Sequence, residues 1–336
     1  MRVWELTSHD GIDGLRMAER PSPAPGPGEV RVKVTANSIN YRDLSTLENS
    51  EARGIRFPFV PNSDGAGVIS AVGTGAPYRE GDRVTSCFFE NWVSGEISQQ
   101  AMDSALGGAR PGILAEEIVL PAGGVIPTPA HLNDIEAATL PCAALTAWHA
   151  LTLPHPVRAG DTVLLLGTGG VSVFAQQFCR IMGVRTIVTS SSDAKLARMR
   201  ELGATETINY RDNPDWDRAV LDLTGGKGVD RTVEVGGPGT FDRSVNATRV
   251  GGLIGLIGIL TGPAGSVHPT AVMRKSITVR GIYVGSRALF AEMNRAIELH
   301  GLKPVVDEVF AFGNAPDAYR AMRAAGHFGK LAISLD

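Results

Sequence analysis

The stretch Thr162-Val-Leu-Leu-Leu-Gly-Thr-Gly-Gly-Val-Ser172 decides the fold of this chain. Its apolar run, 163–166, has no polar break, which predicts a strand buried on both faces. Glycines follow, and apolar residues then recur at helical spacing as far as Met182. A strand, a glycine turn and a helix N-terminus together offer N–H groups and partial positive charge to an anion. We therefore predict a pyrophosphate site formed by Gly167, Thr168, Gly169, Gly170 and Val171.

The bulk properties of the chain limit its class. A length of 336 residues predicts about two domains. The net charge of −3 gives no extended basic surface, so we expect neither nucleic acid nor a membrane as a partner. The three cysteines, Cys87, Cys142 and Cys179, are far apart and odd in number. This pattern is typical of a reducing compartment, and we expect a cytoplasmic protein.

The pattern of predicted elements changes near residue 126. Before it, strands and loops dominate, as in the alternating segment 30–35. After it, strand and helix segments alternate, which predicts an α/β fold with a doubly wound parallel sheet. The tail from 286 lies outside this sheet, and we assign it to the first domain. The six predicted sheet strands span 162–166, 185–189, 205–208, 231–235, 253–258 and 277–284.

The end of the second predicted strand bears on the choice of dinucleotide. Residues 190–192 are all serine, so no acidic residue lies between the end of the predicted strand at 189 and Asp193. An acidic residue here would bind a ribose 2′-hydroxyl, whereas hydroxyl groups donate to a 2′-phosphate. We therefore favour NADP(H) over NAD(H), although one serine also suits the helix cap that follows. The predicted phosphate pocket consists of Ser190, Ser191, Lys195 and Tyr210.

The order of parts resembles the medium-chain dehydrogenase/reductase superfamily over essentially the whole chain. It looks most like the zinc-independent branch, which includes quinone oxidoreductases and members labelled alcohol dehydrogenases. The resemblance implies a GroES-like, mostly β barrel domain at 1–125 and 286–336, and a Rossmann domain at 126–285. Its motifs are Asn40-Tyr-Arg-Asp43, Pro61-Asn-Ser-Asp-Gly-Ala-Gly67, Gly81-Asp-Arg-Val84, Leu140-Pro-Cys-Ala-Ala-Leu-Thr-Ala-Trp148, Gly160-Asp-Thr-Val163, Leu202-Gly-Ala204, Val229-Asp230 and Phe328-Gly-Lys330.

The chain departs from the zinc-dependent members of that superfamily at the metal site. Those members have a cysteine where Asn40 stands and Gly-His-Glu where Asn62-Ser63-Asp64 stands, whereas Cys142 matches their third ligand. One thiolate and a distant Asp64 do not make the three-ligand site that catalytic zinc needs. The structural zinc lobe is also missing, since 92–113 holds no cysteine. We expect no zinc, and expect Cys142 to be a small buried residue.

Without a metal, hydrogen-bond donors must hold the negative charge that grows on the substrate oxygen. The resemblance implies that the loop with Asn40 and Tyr41 faces the nicotinamide. The Asn40 amide is a donor, and the Tyr41 hydroxyl can bind the oxygen or deliver a proton. Alternatively, Tyr41 is a core aromatic residue. Asp43 is expected to brace its own loop.

The resemblance implies further cofactor contacts at the carboxyl ends of the later strands. The residues expected to make these contacts are Thr146, Gly236, Ile257, Gly258, Ile259, Val284, Gly285, Ser286 and Lys330. For Lys330, a side chain in solvent is the alternative.

We therefore expect an NADPH-dependent, zinc-independent oxidoreductase that transfers hydride to an activated C=C or C=O bond. The substrate would be a small apolar enone, quinone or aldehyde. One alternative is an NAD(P)-dependent alcohol dehydrogenase or aldehyde reductase on the same scaffold. Another is a non-catalytic NADPH-binding protein. By analogy with the family we expect a homo-dimer or homo-tetramer. The residues expected to line an apolar pocket, with ordinary core packing as the alternative for several of them, are Phe57, Phe59, Phe88, Phe89 and Trp92.

Overall fold

The computed structural model describes residues 1–335 and divides them into two compact units. The first unit holds residues 1–145 and the segment from Val284 onward, and the second holds residues 146–283. The strands are β1 Arg2–Leu6, β2 Leu15–Glu19, β3 Glu29–Ile39, β4 Asp64–Val72, β5 Arg83–Ser86, β6 Glu117–Pro121, β7 Val125–Pro127, β8 Thr162–Leu166, β9 Arg185–Ser190, β10 Glu206–Asn209, β11 Val229–Glu234, β12 Thr248–Leu256, β13 Thr278–Gly281, β14 Val306–Ala311 and β15 Lys330–Ser334.

The α-helices vary from one turn to four. They are α1 Tyr41–Glu48, α2 Gln99–Met102, α3 Asp134–Ala137, α4 Leu145–Thr152, α5 Gly170–Ile181, α6 Asp193–Glu201, α7 Trp216–Leu223, α8 Pro238–Ala247, α9 Pro269–Arg274, α10 Arg287–His300 and α11 Ala315–Ala324. A π-helical turn at Leu140–Ala144 precedes α4. Within residues 1–335 there is no helix with both the length and the apolar character that crossing a bilayer requires.

The first unit is built on a mostly antiparallel sheet with the order β14-β15-β3-β4-β5-β7, and β6 also pairs with β3. The alternation predicted at 30–35 is seen in β3, where Val30, Val32 and Val34 all enter one core cluster. The β3 and β4 backbones approach closely at Gly67, where a Cβ atom would lie 2.1 Å from the Lys33 carbonyl oxygen. Glycine at this position therefore sets the spacing of the two central strands.

The C-terminal tail belongs to the first unit, as predicted from the sequence. β15 pairs antiparallel with β3, with Leu331 opposite Ile39. Tyr319 of α11 is fully buried in the same core as Ile39 and Ile333. This register brings Lys330 beside the residue that follows β3, which is Asn40.

The second unit contains the predicted doubly wound sheet, with six parallel strands in the order β10-β9-β8-β11-β12-β13. All five residues of β8 are buried, as expected for a strand covered on both faces. The strand order reverses after β8, at the edge where such sheets bind their ligands. The glycine turn follows β8 at this edge.

The unit boundaries differ from those drawn on the sequence, which fell at 125/126 and 285/286. The structure places them at 145/146 and 283/284. Residues after 125 stay with the first unit because β7 pairs with β5 and α3 packs on β3.

The sixth strand of the parallel sheet is shorter than predicted. It ends at Gly281, so Val284, Gly285 and Ser286 do not lie at its carboxyl end. The backbone of Val284 is left-handed, with φ +58°, which ends the extended conformation. The Ser286 hydroxyl accepts a hydrogen bond from the Leu289 N–H and so starts α10.

Candidate functional site

The glycine turn after β8 leaves open space at the N-terminus of α5. Gly167 has φ +74°, a left-handed conformation that favours glycine, and its N–H donates to the Thr189 carbonyl. Gly169, the residue before α5, has an ordinary extended backbone, and a Cβ atom there would meet no protein atom within 4 Å. No conformational or packing constraint of the protein itself requires glycine at 169. The turn is therefore shaped for close approach of a ligand to the backbone.

The rest of the predicted pyrophosphate site lies on this turn. Thr168 is buried, whereas Gly170 and Val171 are half-buried in the first turn of α5. The Ser172 hydroxyl donates to the Leu166 carbonyl at 2.6 Å, which ties the helix start to the end of β8. The five predicted residues thus form one continuous surface at the helix N-terminus.

The residues predicted to bind a 2′-phosphate lie at the ends of two neighbouring strands. β9 and β10 pair with Ser190 opposite Asn209, and the Tyr210 N–H donates to the Ser190 carbonyl at 3.0 Å. Ser190 is buried and Tyr210 is exposed. The register of the sheet therefore brings these two predicted residues together.

The helix cap on α6 uses the third serine of the run. The Ser192 hydroxyl accepts from the Lys195 N–H at 3.4 Å, which leaves Ser190 and Ser191 outside the cap. The Asp193 carboxylate accepts from the Asn209 amide at 2.9 Å. The first acidic residue after the three serines is therefore bound to a neighbouring side chain.

Arg211 is a basic residue at this edge that the sequence analysis missed. It is exposed and directly follows Tyr210, and its N–H donates to the Asn209 side chain at 3.0 Å. The sequence did carry a signal for it, which is a basic residue two positions after β10.

A buried carboxylate that the sequence analysis also missed shapes the end of β11. Glu234 accepts hydrogen bonds from the N–H groups of Gly236 and Gly237 at 2.7 and 3.0 Å, and from the Thr240 hydroxyl. Its other oxygen accepts from Ser244. The predicted cofactor residue Gly236 thus already has its N–H bound within the protein.

The remaining predicted residues of the second unit lie just after β12 or at the start of α4. The N–H groups of Ile257 and Gly258 both donate to the Glu234 carbonyl, and Ile259 is exposed. Thr146 is buried in the first turn of α4. The backbone N–H groups at the end of β12 therefore hold the edge of the sheet together.

The predicted catalytic pair, Asn40 and Tyr41, lies where β3 ends and α1 begins. The Asn40 N–H donates to the Asp43 carboxylate at 2.9 Å, and the Asp43 N–H donates to the Asn40 carbonyl at 2.9 Å. Asp43 thus braces this turn, as expected from the sequence. Tyr41 lies in the first turn of α1, not in a loop, and is 45% exposed, so it is not a core aromatic residue.

Lys330 is turned inward onto Asn40. Its ammonium group donates to the Ile39 carbonyl at 2.7 Å and to the Asn40 side-chain oxygen at 2.6 Å. The residue is only 3% exposed, so it is not a solvated lysine. Burial lowers the pKa of Lys330, whereas the nearby carboxylates of Asp64 and Asp43 favour its charged form.

Asp64 belongs to the same cluster, although we expected it to be distant from Cys142. Its carboxylate accepts from the Cys142 N–H at 3.0 Å and from the Ser63 hydroxyl at 2.5 Å. Asp64 is fully buried, and burial raises its pKa to about 6, against the opposing effect of Lys330. The first unit therefore encloses an ammonium group between two carboxyl groups.

Asn40, Ser63 and Cys142 stand where zinc-dependent members have their three metal ligands, and the groups at these positions do not suit zinc. Asn40 already accepts from the Lys330 ammonium, and Ser63 donates to Asp64. Desolvation raises the pKa of the Cys142 thiol, which disfavours the thiolate that zinc requires. Over residues 1–335 no group of three His, Cys, Asp or Glu side chains is placed to hold a metal ion. A divalent cation here would also face the buried ammonium.

The aromatic residues expected to line an apolar pocket belong to the core instead. Phe59, Phe88, Phe89 and Trp92 are all buried, and the rings of Phe88 and Phe89 pack edge to face at 4.7 Å. Phe57 is half-buried against His9. Large aromatic side chains bury more surface by packing on each other than by lining an open pocket, and this explains the difference.

Two family models match this chain. One is described as the alcohol dehydrogenase GroES-like domain and matches residues 26–130. The other is described as zinc-binding dehydrogenase and matches residues 170–299. Each match falls mainly within one of the two structural units.

Similar proteins cover almost the whole chain. A zinc-type alcohol dehydrogenase-like protein of Schizosaccharomyces pombe is 40% identical, over 97% of this chain and 96% of its own length. The crystal structure of an NAD-dependent alcohol dehydrogenase is 34% identical, with a TM-score of 0.91 over 100% of both chains. A mycobacterial protein solved in complex with NADPH is 28% identical, with a TM-score of 0.83 over 99% of both chains.

Proposed function

The chain belongs to the medium-chain dehydrogenase/reductase superfamily, an NAD(P)-dependent oxidoreductase family, and from that membership we propose that it is a zinc-independent, NADPH-dependent reductase. The proposed substrate is a small apolar compound with an activated C=C or C=O bond, such as an enone, quinone or aldehyde. The observation that carries the proposal is the buried Lys330–Asn40 contact, because Asn40 stands where zinc-dependent members have a cysteine ligand and its side-chain oxygen already accepts from the Lys330 ammonium.

The second unit supports a cofactor with a 2′-phosphate. At the end of β9 the Ser190 and Ser191 hydroxyl groups lie outside the helix cap that Ser192 makes. The Ser190 oxygen accepts from the Ser192 N–H at 3.4 Å, which leaves the hydrogen of that hydroxyl group to be donated. The first acidic group, Asp193, is bound to Asn209. Hydroxyl groups and nearby cations suit a phosphate dianion, whereas a carboxylate at the strand end would repel it. Tyr210 and Arg211 follow β10 beside them.

The first unit supplies donors for the substrate oxygen. In the proposed reaction, hydride from the reduced nicotinamide adds to the substrate carbon while the Asn40 amide N–H stabilises the charge that develops on oxygen. A proton then completes the alcohol, or the saturated ketone when an enone is reduced. Tyr41 lies next to Asn40 and is exposed, so its hydroxyl is the proposed protein donor of that proton.

Kinetics of the purified chain test the proposal. We expect NADPH oxidation with at least one member of a panel of enones, quinones and aldehydes, at an unchanged rate after extensive chelation with EDTA. Metal analysis of the same sample should find far less than one zinc ion per chain. Activity that is lost on chelation and restored by zinc would contradict the zinc-independent mechanism.

A second candidate is alcohol oxidation with NAD⁺ on the same scaffold. The relative named as an NAD-dependent alcohol dehydrogenase, at 34% identity, favours it. Turnover of primary or benzylic alcohols with NAD⁺, without turnover of enones or quinones with NADPH, would select this alternative.

A further inference from the structure

The first acidic residue after β9 is held by a neighbouring strand of the same unit. Asp193 lies three positions past Ser190, the last residue of β9, and it begins α6. Its exposed carboxylate accepts a hydrogen bond from the side-chain amide of Asn209, the last residue of β10, at 2.9 Å. All of these residues belong to the second unit, so the contact needs no group of the first unit.

Both ends of the Asn209 amide have a partner that fixes its orientation. The amide nitrogen donates to Asp193, and the amide oxygen accepts from the Arg211 N–H at 3.0 Å. A carboxylate only accepts and a backbone N–H only donates, so an exchange of nitrogen and oxygen would break both hydrogen bonds. One amide thus binds an acidic side chain and the backbone of a basic residue at the same time.

The hydrogen bond directs the Asp193 carboxylate toward the outer strand of the sheet. The strand order is β10-β9-β8, so β9 separates Asn209 from the glycine turn that follows β8. In dinucleotide-binding sheets, an acidic residue about 20 positions after the glycines binds the ribose 2′-hydroxyl. Asp193 follows the glycines at about that spacing. Its carboxylate is therefore the acidic group that release from Asn209 would make available to the ribose.

The start of α6 does not depend on this hydrogen bond. The helix cap is Ser192, whose hydroxyl accepts from the Lys195 N–H at 3.4 Å. An acidic residue in the first turn also interacts favourably with the helix dipole, whichever way its side chain turns. The contact with Asn209 therefore decides where the Asp193 charge lies more than whether the helix forms.

We propose that Asn209 is a positioning residue that keeps the Asp193 carboxylate away from the ribose 2′ position and thereby favours a 2′-phosphorylated coenzyme. The inference rests on the proposed function, because it assumes that NADPH binds at this edge of the sheet. A carboxylate repels a phosphate dianion beside it, whereas it accepts a hydrogen bond from a 2′-hydroxyl. Asn209 thus sets the coenzyme preference through Asp193.

The binding of two adenosine nucleotides to the full chain tests the inference. Adenosine 2′,5′-bisphosphate carries the 2′-phosphate and adenosine 5′-monophosphate lacks it, and calorimetry gives the Kd of each. The variants are N209A, D193N and the double variant N209A/D193N. We expect N209A to lower the preference for the bisphosphate by about 3–10-fold at low ionic strength, as for a newly placed exposed charge. The loss should shrink in about 0.5 M salt, because salt screens exposed charges.

The coupling between the two positions is the decisive readout. If Asn209 acts through Asp193, the double variant shows the same preference as D193N, because the charge is gone. D212N and N209A/D212N are the matched control, since Asp212 is also exposed and directly follows Arg211. Removing that charge should leave the effect of N209A as large as before.

Two results would overturn the inference. One is an N209A variant with the wild-type preference, and the other is a loss that persists in N209A/D193N. If N209A does not fold, N209L completes the same cycle, because leucine keeps the approximate volume of the side chain without its hydrogen-bonding groups. A wild-type chain with no preference for the bisphosphate overturns the proposed NADPH dependence and this inference together, whereas an absence of coupling overturns the inference alone.

Discussion

The ammonium nitrogen of Lys330 lies 2.6 Å from the side-chain oxygen of Asn40, although the two residues are 290 positions apart in the chain. Both are buried at the point where β15 pairs with β3. This contact joins a C-terminal strand to the residue that begins α1. It makes the orientation of one amide depend on the tail of the chain.

The proposed catalytic role of Asn40 can be tested separately from its role in folding by removing its side-chain N–H groups while keeping a side-chain oxygen acceptor. In N40D, a carboxylate still accepts from Lys330, but the N–H group is gone. We expect kcat/KM to fall by about 10²–10³-fold, as when one donor to a developing oxyanion is lost. Circular dichroism and thermal melting should show a folded protein. A folded N40D with wild-type kcat/KM would contradict the role of Asn40.

Tyr41 is expected to act in turnover and to contribute little to stability. Its side chain is 45% exposed, so Y41F removes a hydroxyl group from the surface of the unit and not from its core. We expect kcat to fall by about 10–100-fold with the unfolding free energy unchanged. Y78F is the matched control, because the Tyr78 hydroxyl bonds the Val125 carbonyl at 3.1 Å. That variant should change stability and leave kcat alone. An unchanged kcat in Y41F would point to water as the proton donor.

Gly169 should matter for the cofactor alone. A Cβ atom there meets no protein atom within 4 Å, so G169A should melt near the wild-type temperature. The methyl group would occupy the space at the helix N-terminus, and we expect the Kd for NADPH to rise by about tenfold or more. Fluorescence titration measures this. G123A is the control, because that glycine also has open space around it but lies in the first unit. Equal NADPH affinity in wild type and G169A would argue against a pyrophosphate at this turn.

A carboxylate at the end of β9 should change the coenzyme preference. In S191D, the new charge would repel a 2′-phosphate and accept from a ribose hydroxyl. We expect the ratio of kcat/KM for NADPH to that for NADH to fall by about 10–100-fold. S192A is the control, since Ser192 caps α6, and it should cost about 1 kcal/mol of stability with the ratio unchanged. A ratio that does not respond to S191D would contradict a 2′-phosphate beside Ser191.

The raised pKa of Asp64 predicts how stability depends on pH. Folding raises the pKa of this acid from 3.8 to about 6, so the folded state holds the proton more tightly than the unfolded state. The contribution of Asp64 to stability is therefore fully present below about pH 4 and is lost as the pH rises toward 6, by on the order of 3 kcal/mol.

Urea unfolding between about pH 4 and pH 6 tests this sign. D64N should flatten the slope of the unfolding free energy across that range. D103N, at an exposed site, should leave the slope as in wild type. The slope is the readout because D64N also removes a charge that faces Lys330. If D64N kept the wild-type slope, groups other than Asp64 would be the cause of the pH dependence of the unfolding free energy.

The sequence predicted most of the fold because local patterns determine it. β8 begins and ends at the bounds predicted for the first sheet strand, 162–166. The sixth sheet strand was predicted too long because apolar residues continue past Gly281, where β13 ends. The left-handed backbone at Val284 breaks the extended conformation there. No periodicity signals such a conformation in a β-branched residue.

The candidate site was less predictable because its contacts are long-range. Asn40 and Tyr41 were predicted from a local motif of the family resemblance, but the partner of Asn40 depends on the register of β15 against β3. Lys330 and Asp64 carry no local signal that they meet, and a buried lysine is rare, so the sequence predicted a cofactor contact for Lys330 with solvent exposure as the alternative. Glu234 was overlooked because its partners are backbone N–H groups, which the sequence does not show.

The central claim is that this chain reduces its substrate with a nicotinamide cofactor and without a metal ion. The most direct measurement is NADPH oxidation by purified enzyme from which metal has been removed with a chelator and whose zinc content has then been quantified. We expect NADPH to bind, and we expect the rate with an enone, quinone or aldehyde to be the same before and after this treatment. Loss of activity with the metal, and its return when zinc is added back, would contradict it.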